Sequence, residues 1–305
     1  MARITAARVK RRAATVLRTA TSRSFRTATA AGVAQRRRQL RGDARPIIVH
    51  QPGRVGSNSV VATVRSTGTD RPVFHVHSLT SPALERALDH EREQYGSRRS
   101  VSSYLLNAAA LRPELERHEI PPRPYDVITL VRDPVRRNLS ALVPVTIGKL
   151  RARRPELADA PPEVIADEIC AVFEADWLQR AEPFERFFTG EFIPVWGFDP
   201  LDHPFSPADG YAIMSGARAR TLVLRVEDLD RVAGPAISEL VGLTTGPAEK
   251  ANRAADKPYR DVHSAVIERI RIPEAYIDRM YSSPYVRHFY AAAELDELRT
   301  RWLGQ

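Results

Sequence analysis

The folded part of the chain is expected to open on the sequence IIVHQPGRVGSNS, residues 47–59. Its first three residues are β-branched, which is typical of a strand buried on both faces of a parallel sheet. Gly53 and Gly56 follow in a polar loop, and residues 60–64 fit the start of a helix. Glycines let a loop turn its N–H groups towards an anion, and a helix N-terminus adds partial positive charge. This order of strand, glycine loop and helix predicts an anion-binding turn in an α/β protein.

Further apolar runs continue the same pattern along the chain. Three more strands are predicted, at residues 73–77, 127–131 and 221–226. Helical patterns lie near 81–94, near 102–118 and after Pro134. Strands that alternate with helices indicate a parallel sheet flanked by helices, and ligands bind beyond the carboxyl ends of such strands. The predicted fold class is therefore α/β.

Charge divides the chain into a basic tail and one folded domain. Residues 1–45 hold 13 basic residues and one acid, or +12, whereas residues 46–305 carry 33 bases and 36 acids, or −3. The tail is expected to be disordered or a fraying helix, with an amphipathic helix on an anionic membrane or a nucleic-acid-binding segment as the alternatives. Because the domain is nearly neutral, no nucleic-acid partner is inferred. Within the domain, residues 151–210 are interpreted as an insertion on the acceptor side, and the chain after Asp228 is predicted to be helical.

Several classes of protein do not fit the sequence. Cys170 is the only cysteine, so an intramolecular disulfide or a cysteine-based zinc site is excluded. No apolar run approaches the ~18 residues that a membrane span requires. Arginines interrupt every apolar stretch at the N-terminus, which argues against a signal peptide. The sequence predicts a cytoplasmic protein, with peripheral membrane contact through the tail left open.

The loop after the first strand is the first candidate for binding a phosphate. Arg54 supplies positive charge, and the hydroxyl and amide side chains that follow can cap the helix or donate to phosphate oxygens. The candidate cradle is Gly53, Arg54, Val55, Gly56, Ser57, Asn58 and Ser59. An ATP-binding P-loop requires GxxxxGK[ST], and no lysine stands at the required place here. A purely structural turn remains the alternative.

The loop after the third strand is the second candidate. Arg132 follows the strand, and Pro134 suits the first turn of a helix that carries Ser140. A guanidinium fork and a hydroxyl on that helix can bind one phosphate together. In the alternative interpretation, Asp133 caps the helix and the arginines form its solvated face. Two such loops, each at a strand end, favour phosphate binding over two purely structural turns.

The two loops resemble the phosphate-binding elements of sulfotransferases that use 3′-phosphoadenosine 5′-phosphosulfate. A bacterial, sulfotransferase-like family called "putative capsular polysaccharide synthesis proteins" is more similar still, over residues 46–303. The segments that carry the resemblance are IIVHQPGRVGSNSV, VFHVHSL, LVRDPVRRNLSA, HPF, LVLRVEDL, ANRAADKPY and YVRHFYAAAELDEL. The resemblance implies a P-loop-NTPase-like sheet of the sulfotransferase type. It also implies transfer of a sulfuryl group to a hydroxyl of a carbohydrate or glycolipid.

The resemblance further implies a role for individual residues. The first loop would hold the 5′-phosphosulfate, with Arg54 in place of the usual lysine, and Arg132 with Ser140 would hold the 3′-phosphate. A histidine at a strand end is implied as the base, and His77 is chosen. His75 and His50 remain open alternatives for the base, while Lys257 and Asn252 would close a late loop over the donor. Because sulfuryl carries less charge than phosphoryl, no metal is expected.

Two other functions remain open at this stage. One is a P-loop-like kinase or nucleotide hydrolase, which requires ATP and Mg²⁺. The other is a non-catalytic nucleotide- or polyanion-binding protein that depends on its tail. Glu227 and Asp228 are interpreted as structural. Some large aromatic residues form the core and some could line an acceptor cleft: Trp177, Trp196, Phe198, Tyr211 and Phe289.

Overall fold

The structure of the protein is a computed structural model. The structure describes residues 23–41, 44–95, 101–117, 120–121, 123–157, 159–180, 184–244, 246 and 259–304. The strands are β1 Ile47–His50, β2 Val73–Val76, β3 Tyr125–Val131, β4 Tyr211–Ser215 and β5 Ala219–Arg225. Within the described residues these strands form one sheet in the order β2-β1-β3-β5-β4, in which β4 alone is antiparallel. The predicted α/β class with a mostly parallel sheet is confirmed.

Helices cover both faces of the sheet. Their bounds are α1 Arg23–Gln39, α2 Ser57–Ser66, α3 Ser81–Tyr95, α4 Ser103–Leu115, α5 Pro134–Arg153, α6 Pro162–Val172, α7 Leu229–Val241, α8 Arg260–Arg269, α9 Glu274–Tyr281, α10 Pro284–Phe289 and α11 Ala292–Leu303. Two π-helical turns, Phe173–Trp177 and Phe188–Phe192, lie between α6 and β4. No helix in the described ranges has both the length and the apolar character needed to cross a bilayer.

The order of the strands determines where a ligand can bind. The chain leaves β1 through α2 to β2 on one side, then returns through α3 and α4 to β3 on the other side of β1. The connections diverge at β1 and β3, so their carboxyl ends frame the crevice in which open α/β sheets bind ligands. The loops that begin at Gln51 and Arg132 follow these two strand ends.

Two apolar layers explain why the strands are apolar throughout. Ile47, Val49, Ile128 and Leu130 pack with residues of α2 and α7 on one face. Ile48 and Val127 belong to the opposite layer, which includes residues of α4, α5, α8 and α9. Strands buried on both faces require apolar residues at successive positions, as the sequence of β1 predicts. The unpredicted edge strand β4 is mostly half-exposed, and its pattern is correspondingly weak.

The insertion shares the core of the sheet. Phe184, Phe188, Phe192 and Trp196 are buried in the same apolar layer as Ile48. Phe289 is also fully buried, so Trp196 and Phe289 are core residues rather than lining for an acceptor cleft. Of the other aromatic candidates, Phe198 and Tyr211 pack against the cores while partly buried, and the side chain of Trp177 lies outside the described part of the chain.

Ordered structure begins earlier in the chain than the sequence pattern indicates. The sequence pattern places the start of ordered structure at Arg45, but α1 covers Arg23–Gln39 and packs on α4. Val33 is buried in the core, and Arg36 Nε donates to Asn107 Oδ1. Val33 is the only buried residue among residues 30–39, so the segment has no wide apolar stripe from which its packing could be predicted. Residues 1–22, 42 and 43 lie outside the described residues.

Candidate functional site

The loop after β1 has a fixed shape because one of its residues enters the core. Val55 is fully buried between α2 and α7, while Arg54 on one side and Gly56 on the other are exposed. Arg54 adopts a φ of 71° and Gly56 a φ of 73°, both in the left-handed region. A side chain at Gly56 would also lie only 3.3 Å from Leu229 Cδ1. Two left-handed residues around a buried valine turn the loop sharply into α2.

The loop after β3 contacts the loop after β1 directly. Arg132 Nη1 donates to Arg54 O at 2.9 Å, and Arg137 Nε donates to Gly53 O at 3.2 Å. The two predicted phosphate loops therefore meet at the junction of β1 and β3. Arg137 is a site residue that the sequence analysis did not choose, and its alternative interpretation placed the arginines of this helix on a solvated face. Its spacing of one turn from Asp133 gave no sign that it reaches back across the strand ends.

Arg132 retains hydrogen-bonding capacity beyond this contact. Its Nε is buried and has no partner among the described residues. Burial lowers the pKa of Arg132, and the nearby charge of Arg136 lowers it further. Burial lowers the pKa of His263 on α8 as well, followed by the charges of Arg132 and Arg136. The guanidinium groups of Arg132 and Arg136 and the neutral imidazole of His263 thus share one region, and an anion there would relieve the repulsion between the two arginines.

Ser140 lies on the helix that begins beside Arg132. It is half-buried in the second turn of α5. The structure thus places Arg132 before the helix and Ser140 within it, as the sequence predicts. That Arg132 and Ser140 bind one phosphate together stays a prediction.

A buried carboxylate holds the start of α5 in place. Asp133 caps the helix by accepting from Val135 N at 3.0 Å, and it also accepts from Tyr281 Oη at 3.0 Å and Trp302 Nε1 at 3.1 Å. Glu227 accepts from Asp133 N at 3.0 Å, consistent with its structural interpretation. Burial raises the pKa of Asp133 to about 6, and the charge of Glu227 adds to this increase. Asp133 therefore fixes the backbone next to Arg132.

Two histidines lie beside the first loop. His77 follows the last residue of β2, and both His77 and His75 contact the side-chain amide of Gln51. The distances from Gln51 Nε2 are 2.8 Å to His77 Nδ1, 3.1 Å to His75 Nε2 and 3.0 Å to Ser57 Oγ. The ring of Tyr104 lies 4.7 Å from the ring of His77. Gln51 and Tyr104, which the sequence interpretation did not single out, therefore belong to the site.

Both imidazoles are neutral at physiological pH. Burial lowers the pKa of His77 to about 3, and the positive forms of His75, His50 and Arg54 contribute to the decrease. Burial lowers the pKa of His75 to about 4, with a contribution from Arg65. A neutral imidazole can accept a proton, but a pKa of about 3 lies far below the working pH and makes His77 a weak base in these surroundings.

The side chain of His50 is buried in the core and bonded there, so it does not fit the role of base. It is fully buried, and its Nδ1 accepts from Trp196 Nε1 at 2.9 Å. Its Nε2 lies 3.5 Å from Glu191 Oε1. Burial acts to raise the pKa of Glu191, but the interactions with His50, Thr80 and the backbone outweigh it and lower the pKa. These contacts attach the insertion to the end of β1.

The remaining candidates differ in their surroundings. Ser57 is buried beside Gln51, Asn58 is exposed, and Ser59 N donates to Gly56 O at 3.0 Å in the first turn of α2. Gly53 has open space where a side chain would stand. Lys257 and Asn252 lie outside the described residues. In the part of the chain that the structure describes, no group of histidine, cysteine and carboxylate side chains could hold a metal ion.

Comparison with known proteins gives one match. Residues 169–291 match the family model NKWYS, described as "Putative capsular polysaccharide synthesis protein". The matched region includes Glu191 and Trp196, which contact His50, and Glu227, which contacts Asp133. It includes neither of the two loops. No curated protein and no solved structure matches the chain.

Arg54 offers a test of the strained loop. Replacing Arg54 with glycine is expected to leave the protein about 1 kcal/mol more stable than replacing it with alanine, because the left-handed backbone penalises a Cβ. Both variants lose the guanidinium equally. Urea denaturation of the pair measures the difference, and equal stabilities would contradict a left-handed Arg54.

The two neutral histidines predict acid sensitivity. Below pH 6.5 the unfolded chain protonates them while the folded chain does not, until the pH nears their folded pKa values of about 4 and about 3. Each therefore lowers the free energy of unfolding by about 1.4 kcal/mol per pH unit as the pH falls through this window. Asp133 opposes them, because its raised pKa favours the folded state as the pH falls below 6. Urea denaturation from pH 7 to 4 should give His77→Asn a slope about 1.4 kcal/mol per pH unit shallower than wild type. An unchanged slope would show that His77 is not held neutral.

Proposed function

We propose that this protein is a sulfotransferase. It would move a sulfuryl group from 3′-phosphoadenosine 5′-phosphosulfate to a hydroxyl of a carbohydrate or glycolipid. The observation that carries the proposal is the contact between the two loops, in which Arg132 and Arg137 donate to the carbonyls of Arg54 and Gly53. This contact joins two candidate phosphate sites into one crevice with a neutral histidine beside it. The match to a family named for capsular polysaccharide synthesis supports a carbohydrate acceptor.

The residues of the crevice fit a doubly phosphorylated nucleotide. The N-terminus of α2 and the N–H groups of the first loop suit the 5′-phosphosulfate. The unpartnered Nε of Arg132 is a buried donor, and a second phosphate would satisfy it. Ser140 and His263 lie on the two helices next to that arginine and could donate to the same group. The closure by Lys257 and Asn252 stays part of the proposal.

The chain's own residues account for the movement of charge. When bound, the donor supplies an activated sulfuryl group, whose bond to the bridging phosphate oxygen breaks as the acceptor oxygen bonds to sulfur. His77 Nε2 takes the proton of the acceptor hydroxyl. Arg54 and the loop N–H groups stabilise the negative charge that remains on the bridging oxygen. In this scheme the arginines and backbone donors provide the electrostatic stabilisation.

Calorimetric titration separates the possible functions. A sulfotransferase should bind adenosine 3′,5′-bisphosphate at least ~10-fold more tightly than AMP, because one charge-assisted phosphate contact is worth roughly 1.5–3 kcal/mol. If AMP binds equally well, the assignment of Arg132 and Ser140 to the 3′-phosphate is wrong. Tightest binding of ATP with Mg²⁺ would instead support a kinase or hydrolase. Loss of all nucleotide binding on removal of residues 1–22, which precede α1, would support the tail-dependent binding protein.

Transfer itself requires a second measurement. Donor labelled with ³⁵S should pass label to oligosaccharides that carry free hydroxyl groups. If the protein binds the bisphosphate but transfers no label to any carbohydrate or glycolipid offered, the proposed nucleotide site stands and the proposed acceptor class is wrong. The membrane-contacting role of the tail is tested separately, by flotation with anionic vesicles.

A further inference from the structure

The side chain of Gln51 lies between the candidate base and the candidate donor loop. It is fully buried and contacts His77, His75 and Ser57 at the distances given above. We propose that Gln51 is a positioning residue that holds His77 in the tautomer with the proton on Nδ1, leaving Nε2 free to accept a proton from substrate. This inference rests on the proposed transfer reaction, in which His77 is the base.

The hydrogen bonds around His77 determine the tautomer. His77 Nδ1 lies 3.1 Å from the backbone oxygen of Gln51, and a carbonyl oxygen can only accept. Nδ1 must therefore carry the proton. The amide atom 2.8 Å from Nδ1 must then be an acceptor as well, since two donors do not bond to each other. Amide oxygen and nitrogen positions follow from such networks, so the Gln51 oxygen faces His77.

The contacts of the amide itself do not distinguish its two orientations. Ser57 Oγ, His75 Nε2 and His77 Nδ1 all contact the amide atom that faces the histidines, and the other amide atom is buried without a partner among the described residues in either orientation. The 3.1 Å contact between His77 Nδ1 and the backbone oxygen of Gln51 is therefore the observation that decides the orientation. Both oxygens of Gln51 then bind the same imidazole.

Among the described residues besides Gln51, four groups face His77, and none of them can orient its ring as a carboxylate would. They are His75 on the same strand, His50 at the end of β1, Arg54 in the loop and the ring of Tyr104 on α4. None of these is a carboxylate, the usual orienting partner of a catalytic histidine. The backbone and side-chain oxygens of Gln51 take that place without adding negative charge. A neutral partner can fix the tautomer of the imidazole without stabilising the imidazolium as a carboxylate would.

Two variants separate orientation from simple packing. Gln51→Leu has a similar volume but removes the amide, and Gln51→Glu keeps an acceptor and adds negative charge. For Gln51→Leu we expect kcat to fall roughly 10–100-fold, the usual cost of losing an orienting partner, with KM for the donor changed less. For Gln51→Glu we expect the acid limb of the kcat profile to move to higher pH, because the carboxylate favours the imidazolium. Gln39→Leu, on the exposed side of α1, is the matched control.

A measurement independent of activity decides the tautomer. Nitrogen-15 spectra of labelled histidine distinguish Nδ1–H from Nε2–H, and His75→Asn and His77→Asn assign the signals. Wild type should show Nδ1–H at His77, and Gln51→Leu should lose that preference. An unchanged tautomer and pH profile in Gln51→Leu would overturn the proposal. If Gln51→Leu does not fold, an unshifted His77 titration in the nearly isosteric Gln51→Glu would overturn it. If wild type transfers no sulfuryl group, the spectra still test Gln51 while the proposed function fails.

Discussion

Replacing His77 with asparagine is expected to lower kcat by about 10²–10⁴-fold, the range typical of losing a general base. Asparagine can keep hydrogen bonds to Gln51 but cannot take up a proton. Binding of adenosine 3′,5′-bisphosphate should change little, because the proposed phosphate contacts come from the loops and not from His77. Single-turnover transfer of ³⁵S label measures the chemical step, and calorimetry measures binding.

His75→Asn provides the comparison for this result. His75 lies two residues earlier and shares the Gln51 amide, but it stands inside β2, whereas His77 stands just beyond the strand end. The His75→Asn variant should reduce kcat much less than the His77→Asn variant. If the larger loss occurs at His75, the roles of the two histidines are exchanged. If His77→Asn transfers at the wild-type rate, His77 is not the base.

Replacing Arg132 with alanine is expected to weaken binding of adenosine 3′,5′-bisphosphate by roughly 10–100-fold. The substitution removes a charge-assisted donor worth roughly 1.5–3 kcal/mol and also the bond that attaches Arg132 to Arg54 O. The advantage of the bisphosphate over AMP should shrink most, since Arg132 is assigned to the 3′-phosphate. Calorimetric titration of both nucleotides gives the ratio.

Two further variants define what Arg132 contributes. Arg132→Lys keeps the charge but loses the planar fork, so it should recover only part of the lost affinity. Arg153→Ala removes an exposed arginine near the far end of α5 and should leave both affinities unchanged. A loss in Arg132→Ala that is equal for AMP and the bisphosphate would show that this residue shapes the first loop and does not bind the 3′-phosphate.

The match to a capsular polysaccharide family and the two loops concern different parts of the molecule. The matched region, residues 169–291, contributes the insertion from residue 169 onwards, β4, β5 and the helices α7 to α10. Glu191 and Trp196 connect it to the end of β1 through His50. The family description therefore bears on the part of the chain that supports the crevice, and the two loops supply the proposed donor chemistry.

The elements that local pattern predicts are those whose residues face two apolar layers. Ile47–His50 and Tyr125–Val131 are apolar almost throughout because both faces of the sheet are covered. The glycine loop after β1 and the helix cap at Asp133 also follow from short-range rules. Local sequence rules are therefore sufficient to identify the α/β class and both loops.

Other parts of the site depend on residues that are distant in sequence. Arg137 reaches Gly53, Gln51 reaches two histidines on the next strand, and Glu191 reaches the backbone of Leu79 and Thr80. None of these residues stands in a motif that predicts its partner. The packing of α1 on α4 is of the same kind, since it depends on Val33 and Arg36 meeting a helix formed some seventy residues later.

The sequence of this protein is sufficient to predict its alternation of strands and helices and the two polar loops at strand ends, because backbone preference and apolar periodicity act over a few residues. The order of the strands brings the two loops together. Packing across the sheet then places His50 against Trp196 and Glu191 and His77 against Gln51, beside the first loop. These choices follow from burial and hydrogen bonding between distant segments, which local periodicity does not encode.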